Sequence, residues 1–141
     1  MRVSLDTNVL VRYLVWDEAT QSNEAARLIE SAETIVLSTI VLCETVWVLR
    51  RAYKFQPGDI VTVLRDLTTM PSVEIDRPLV EAGITILVAG GDFADGAILA
   101  ESERSKADYL ASFDEKLASL SSKVRLMPPH GSGASPGGRR L

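Results

Sequence analysis

Arg2-Val3-Ser4-Leu5-Asp6-Thr7-Asn8-Val9-Leu10-Val11-Arg12-Tyr13-Leu14 starts as a short extended run and passes through an acid into an apolar helical repeat. Arg2 to Leu5 predicts a strand and about Asn8 to Val15 a helix, with Asp6 and Thr7 as caps at the junction. The alternation continues down the chain. A partly apolar stripe predicts a helix from Ser22 to Ser31, and the β-branched run Thr34 to Leu37 suits a buried strand. Ser38 or Thr39 can cap the next helix, which runs to about Tyr53. Pro57-Gly58 launches another through Leu67, and Pro71 ends it.

Ser72 to Ile75 reads as a strand, Arg77 to about Leu87 as a helix despite Gly83, and Gly90-Gly91 as a turn. A helix from Asp92 to about Ser105 follows, then strands at Tyr109 to Ala111 and Val124 to Leu126 around a short helix from Glu115 to Leu120. Strands separated by helical crossovers imply an α/β fold with a central, mainly parallel sheet covered by helices. Residues 1–127 form one predicted domain. From Pro128 to Leu141 the Gly/Pro-rich chain has almost no core-forming content and reads as a flexible tail.

The 141 residues suffice for a core without a covalent staple. A single cysteine, Cys43, excludes an intramolecular disulfide and any multi-cysteine zinc site, so a cytoplasmic setting is the expectation. The opening apolar run is too short for a signal peptide, and no stretch is long and apolar enough to span a bilayer. A net charge of -4 argues against general attraction to nucleic acid. Arg50, Arg51 and Lys54 nevertheless form one local basic patch, and cations at an acidic site reverse the local field.

The acids carry the chemistry. Glu44 interrupts the apolar run Ile40-Val41-Leu42-Cys43-Glu44-Thr45-Val46-Trp47-Val48-Leu49, where helical spacing puts it on or beside a stripe with Ile40, Trp47 and Val48. Asp6 and Asp114 fall at strand ends, where open α/β folds commonly place active sites, and Asp92 and Asp95 share one helix start. Each has an ordinary alternative. Asp6, Asp92 and Asp114 suit N-caps, Asp95 is favourable in a first turn, and Glu44 can reach solvent or pair with an arginine. Together the five can surround one or two Mg²⁺ or Mn²⁺ ions, which prefer oxygen ligands. Their mutual repulsion predicts a raised pKa for Glu44 or Asp95 without metal.

Asp6-Thr7-Asn8-Val9-Leu10, Glu44, Asp92-Phe93-Ala94-Asp95-Gly96-Ala97-Ile98-Leu99-Ala100 and Ser112-Phe113-Asp114 resemble a PIN-domain ribonuclease over about residues 1–127. Motif order, length and Asn8-Val9-Leu10-Val11-Arg12-Tyr13-Leu14 resemble the VapC toxins of type II toxin–antitoxin pairs. The resemblance implies a PIN-like three-layer α/β architecture and a metal-dependent endoribonuclease. It makes Asp6, Glu44, Asp95 and Asp114 the acidic quartet for Mg²⁺ or Mn²⁺, with Asp92 an additional acid. Thr7 or Asn8 would orient the first carboxylate, and Ser112 would contact substrate or a metal-bound water. RNA is the implied substrate, cleaved to 5′-phosphate and 3′-hydroxyl ends. The implied partners are a cognate VapB-like antitoxin and a second copy in a homodimer.

Gly96 departs from the alanine often found there and is expected to weaken its helix by roughly 0.5–1 kcal/mol. Ser112 stands where threonine is common. The lone His130 lies in the tail and offers no general base. Trp47 and Val48 read as core, and Tyr13, Trp16 and Tyr53 as core or boundary residues with an antitoxin groove as alternative. Cys43 reads as a small buried hydrophobe, and Arg50 and Arg51 as a solvated helix end or RNA contacts. The competing function is a non-enzymatic α/β binding protein whose acidic centre holds a structural cation. A P-loop is unsupported, because no Gly-rich loop ends in Lys-Ser/Thr.

Overall fold

Every strand pairing in the computed structural model, which describes residues 1–128, is parallel. β1 (Arg2–Ser4), β2 (Thr34–Val36) and β3 (Val73–Glu74) form one sheet in that order, with Val3 opposite Ile35 and Ile35 opposite Val73. β4 (Leu110–Ser112) and β5 (Val124–Leu126) form a second ladder, with Ala111 opposite Arg125. The three-layer α/β expectation holds, although hydrogen bonding divides the expected central sheet into two ladders. His130 and most of the predicted tail fall in 129–141, outside the described residues.

With strands this short, the helices carry most of the packing. They are α1 (Thr7–Val15), α2 (Ala19–Ser31), α3 (Thr39–Arg51), α4 (Pro57–Thr69), α5 (Arg77–Val88), α6 (Phe93–Arg104) and α7 (Glu115–Leu120). Ser38 caps α3 through Val41 N–H at 3.2 Å. The N-terminus of α2 lies three residues before the expected Ser22, because the Glu18 carboxylate accepts Gln21 N–H at 2.6 Å and caps the earlier turn. β4 is displaced by one residue from the expected Tyr109–Ala111.

Leu10, Ile35, Leu42, Leu49, Ile60, Leu64, Val80, Leu87 and Phe93 belong to one buried cluster. A smaller cluster of Ile86, Leu99, Leu117 and Val124 joins α5 and α6 to α7 and β5. That second core matters for function, because it seats the N-terminus of α7 beside that of α6.

Helices α5 and α6 touch through glycines. A Cβ on Gly83 would lie 2.4 Å from Phe93 Cε1, so the missing side chain makes room for a buried ring. A Cβ on Gly96 would lie 2.4 Å from the Ala82 carbonyl oxygen and 2.6 Å from Gly83 Cα. The expectation that Gly96 only weakens its helix is therefore incomplete. Its lack of a side chain is the condition for the close approach.

Tyr53 is a boundary residue with a defined job. Its hydroxyl donates to Asp17 Oδ2 at 2.6 Å, tying the chain beyond α3 to the α1–α2 turn and holding the Asp17 carboxyl below its ordinary range. Tyr13 is half-buried against the main core, while Trp16 is exposed in the left-handed region at φ 59°.

Candidate active site

Asp6 occupies the N-cap of α1, where its Oδ1 accepts Thr7 N–H at 2.8 Å. The buried Thr7 turns its hydroxyl the other way and donates to Glu44 Oε1 at 2.8 Å. One threonine thus links two acids 38 residues apart, from position 6 to position 44.

Glu44 takes the solvent-reaching alternative, on a side of α3 that turns away from the core. It is exposed, and so are Ile40 and Trp47, which share its side of α3. The buried stripe is Leu42, Thr45, Val46 and Leu49. An apolar run around the whole helix hid the phase, since either stripe looked fit for the core. Trp47 is accordingly surface, at 62% exposure, and Val48 is half-buried.

Three further acids line one small cavity of about 150 Å³: Asp92 and Asp95 from the start of α6, and Asp114 from the start of α7. Asp95 is half-buried. Burial, then the Asp92 charge, then the Asp114 charge push its carboxyl above the ordinary range. The expectation of a raised acid holds at Asp95. Asp92 stands at the N-cap position of α6, yet its carboxylate takes no capping hydrogen bond. Asp114 does cap, accepting Leu117 N–H at 3.0 Å, and Ser112 Oγ accepts Asp114 N–H at 3.0 Å.

Sequence reasoning missed Lys116. It lies in the same cavity and makes no ion pair among the described residues. Gly90 makes space for it: with φ at +99°, a Cβ there would sit 2.8 Å from Lys116 Nζ. The glycine pair was visible as a turn, but nothing in the spacing said that a lysine from another helix would lie across it.

Arg50 and Arg51 are more than a solvated helix end. With Trp47, Gly90, Gly91 and Asp92 they line a groove of about 410 Å³ that shares Gly90, Gly91 and Asp92 with the acidic cavity. Lys54 is exposed at φ 60° and does not line that groove. Asn8 is exposed in a different groove of about 330 Å³, together with Arg12 and Gln21. Cys43 is half-buried, and burial followed by the Glu101 charge raises its thiol pKa, which favours the neutral form over a nucleophilic thiolate.

The donor chemistry suits a hard divalent cation, for every candidate ligand is a carboxylate oxygen. The side chains as placed form two sets, Asp6 with Glu44 through Thr7, and Asp92 with Asp95 and Asp114 in one cavity. Among the described residues no group of three or more acids, histidines or cysteines stands in an arrangement that could hold a metal ion. Burial and the charges of Asp92 and Asp114 raise the Asp95 carboxyl, so a cation bound beside it would relieve a penalty that this cavity already carries. The described helices include none long and apolar enough to cross a membrane.

Comparison with individual curated proteins finds no match. The family comparison is different: residues 3–123 match the PIN domain, a span that takes in Asp6, Glu44, Asp92, Asp95 and Asp114. The chain therefore belongs to the PIN-domain family.

Proposed function

We propose that the protein is a metal-dependent endoribonuclease and the toxin of a type II toxin–antitoxin pair. The observation that carries this reading is the shared cavity of Asp92, Asp95 and Asp114, in a PIN domain, with the Asp95 carboxyl raised by burial and by the charges of its two neighbours. Asp6, Glu44, Asp95 and Asp114 would hold Mg²⁺ or Mn²⁺, with Asp92 as a further ligand. A bound cation there offsets phosphodiester charge and lowers the pKa of water.

The remaining roles belong to the chain. Thr7 fixes Glu44 through its hydroxyl and Asp6 through its backbone, so both carboxylates face substrate without searching rotamers. Ser112 fixes the backbone at Asp114. Arg50 and Arg51, with Lys54 farther out, supply positive charge for RNA phosphates. Asn8 is a candidate for orienting Asp6. The resemblance to VapC toxins extends the proposal to a VapB-like antitoxin, a homodimer and a cytoplasmic setting.

Thr7→Val, which keeps shape but removes the donor, is expected to lower cleavage roughly 10–100-fold. Circular dichroism would accompany the assay, to show that the variant is folded. The function itself is tested by incubating purified protein with RNA and sequencing the new ends. Cleavage lost in EDTA and restored by Mg²⁺ or Mn²⁺, giving 5′-phosphate ends, is the expected result. Cation binding without any RNA cleavage would instead favour the non-enzymatic binding protein. Co-expression with the product of an adjacent small reading frame tests the toxin assignment, and it fails if growth and cleavage are unaffected.

A further inference from the structure

Trp47 presents a large aromatic face to water at 62% exposure, in a groove that adjoins the acidic cavity. The Arg51 guanidinium lies 5.5 Å from the centroid of its ring. Neither Arg50 nor Arg51 makes an ion pair among the described residues, although the chain carries net charge -4. An exposed indole that shares its groove with two guanidinium groups outside any ion pair is chemically matched to a nucleotide, whose base offers a neutral π-face and whose phosphates accept from arginine. The groove volume of about 410 Å³ falls within the usual range for ligand clefts.

We propose that this groove is a nucleotide subsite: an unpaired base of single-stranded RNA stacks on Trp47, while Arg50 and Arg51 take the adjoining phosphates. The inference rests on the nuclease reading and deepens it, since it says which face of the protein the RNA strand crosses. Gly90, Gly91 and Asp92 form the wall common to groove and acidic cavity. A nucleotide seated against Trp47 therefore sits one short step from the acids. Arg50 and Arg51 supply the groove's own positive charge, so the phosphates next to the stacked base lie on the arginine side. A base inside a duplex has both faces stacked on its neighbours, which makes the subsite selective for unpaired RNA.

A second copy of the chain is the rival occupant, because Ile40 is also exposed, seven residues before Trp47 on the same helix. Charge favours RNA. The two arginines complement phosphate, whereas another copy brings a net negative charge but no row of phosphates.

The test uses tryptophan fluorescence, because the chain has two tryptophans and Trp16→Phe leaves only Trp47. In a Trp16→Phe, Asp95→Asn protein, an eight-nucleotide single-stranded RNA is expected to quench Trp47 emission to saturation, and the same sequence as a duplex is not. Arg50→Ala and Arg51→Ala should each reduce the salt dependence of binding by about one counterion. In the otherwise native protein, Trp47→Ala should raise KM for single-stranded RNA about 10-fold with kcat changed less than twofold, and Trp47→Phe should recover most of the loss.

Native cleavage combined with unmoved Trp47 emission and an unchanged KM overturns the subsite and leaves the nuclease reading intact. Absence of cleavage by the native protein overturns the nuclease reading, and the subsite with it. Self-association abolished by Trp47→Ala, with emission that tracks protein concentration rather than RNA, assigns the face to a second copy and overturns the proposal.

Discussion

Asp95→Asn is expected to reduce RNA cleavage on the order of 100-fold or more, while making the metal-free protein harder to unfold at neutral pH. The two effects have one cause. Burial, Asp92 and Asp114 raise the Asp95 carboxyl above its ordinary range. A raised folded pKa means that the group contributes its stability below the unfolded value and loses that contribution as pH rises through the folded value. At pH 7 the charged Asp95 therefore opposes folding, and the neutral amide removes the opposition. Thermal unfolding in EDTA should show Asp95→Asn with the higher Tm at pH 7, and the gap should close as pH falls through the carboxylate range. Added Mg²⁺ should raise the native Tm and leave the variant nearly unmoved. A variant that cleaves RNA normally would remove Asp95 from the site.

Gly96→Ala is expected to destabilise the protein, although alanine is the better helix former. Propensity favours the change by roughly 0.5–1 kcal/mol. Against that, the new Cβ would stand 2.4 Å from the Ala82 carbonyl oxygen, a backbone atom with no rotamer by which to escape. Overpacking of this kind typically costs about 1–3 kcal/mol, so the collision wins. Urea unfolding should give a lower midpoint with an unchanged slope. Cleavage should fall as well, because α6 must shift against α5 and it carries both Asp92 and Asp95. A midpoint equal to or above that of the native chain would show that the helices separate freely at this contact.

Much of the fold was legible because local chemistry and tertiary structure agree. Ser38, Asp6 and Asp114 were recognisable as caps and do cap. Proline at position 57 marked the start of α4, and the β-branched run at 34–36 became the central strand of its sheet. The raised carboxyl of Asp95 owes most to burial, and the part that the sequence made legible is the charge of Asp92 three residues before it and of Asp114 from elsewhere.

What failed to show had its origin between elements. Glu44 could lie on or beside the stripe of Ile40, Trp47 and Val48, or reach solvent, and periodicity cannot choose between two apolar stripes on one helix. The core chose the stripe with Leu42, Val46 and Leu49. Gly96 looked like a mild defect because the Ala82 carbonyl lies on another helix. Lys116 gave no signal in the sequence, because the turn at Gly90 that it lies across comes from another part of the chain. The site is a meeting of helix starts, and a sequence specifies each start more clearly than the distances between them.

Calorimetric titration of the purified protein with Mn²⁺, alongside Asp95→Asn and Asp114→Asn, most directly tests whether these separate oxygen donors act on one cation. Saturable binding to the native chain, weakened at least tenfold by either substitution, is the predicted result. Weak binding of equal strength in all three proteins would mean that the carboxylates remain strangers, and the nuclease account would lose its centre.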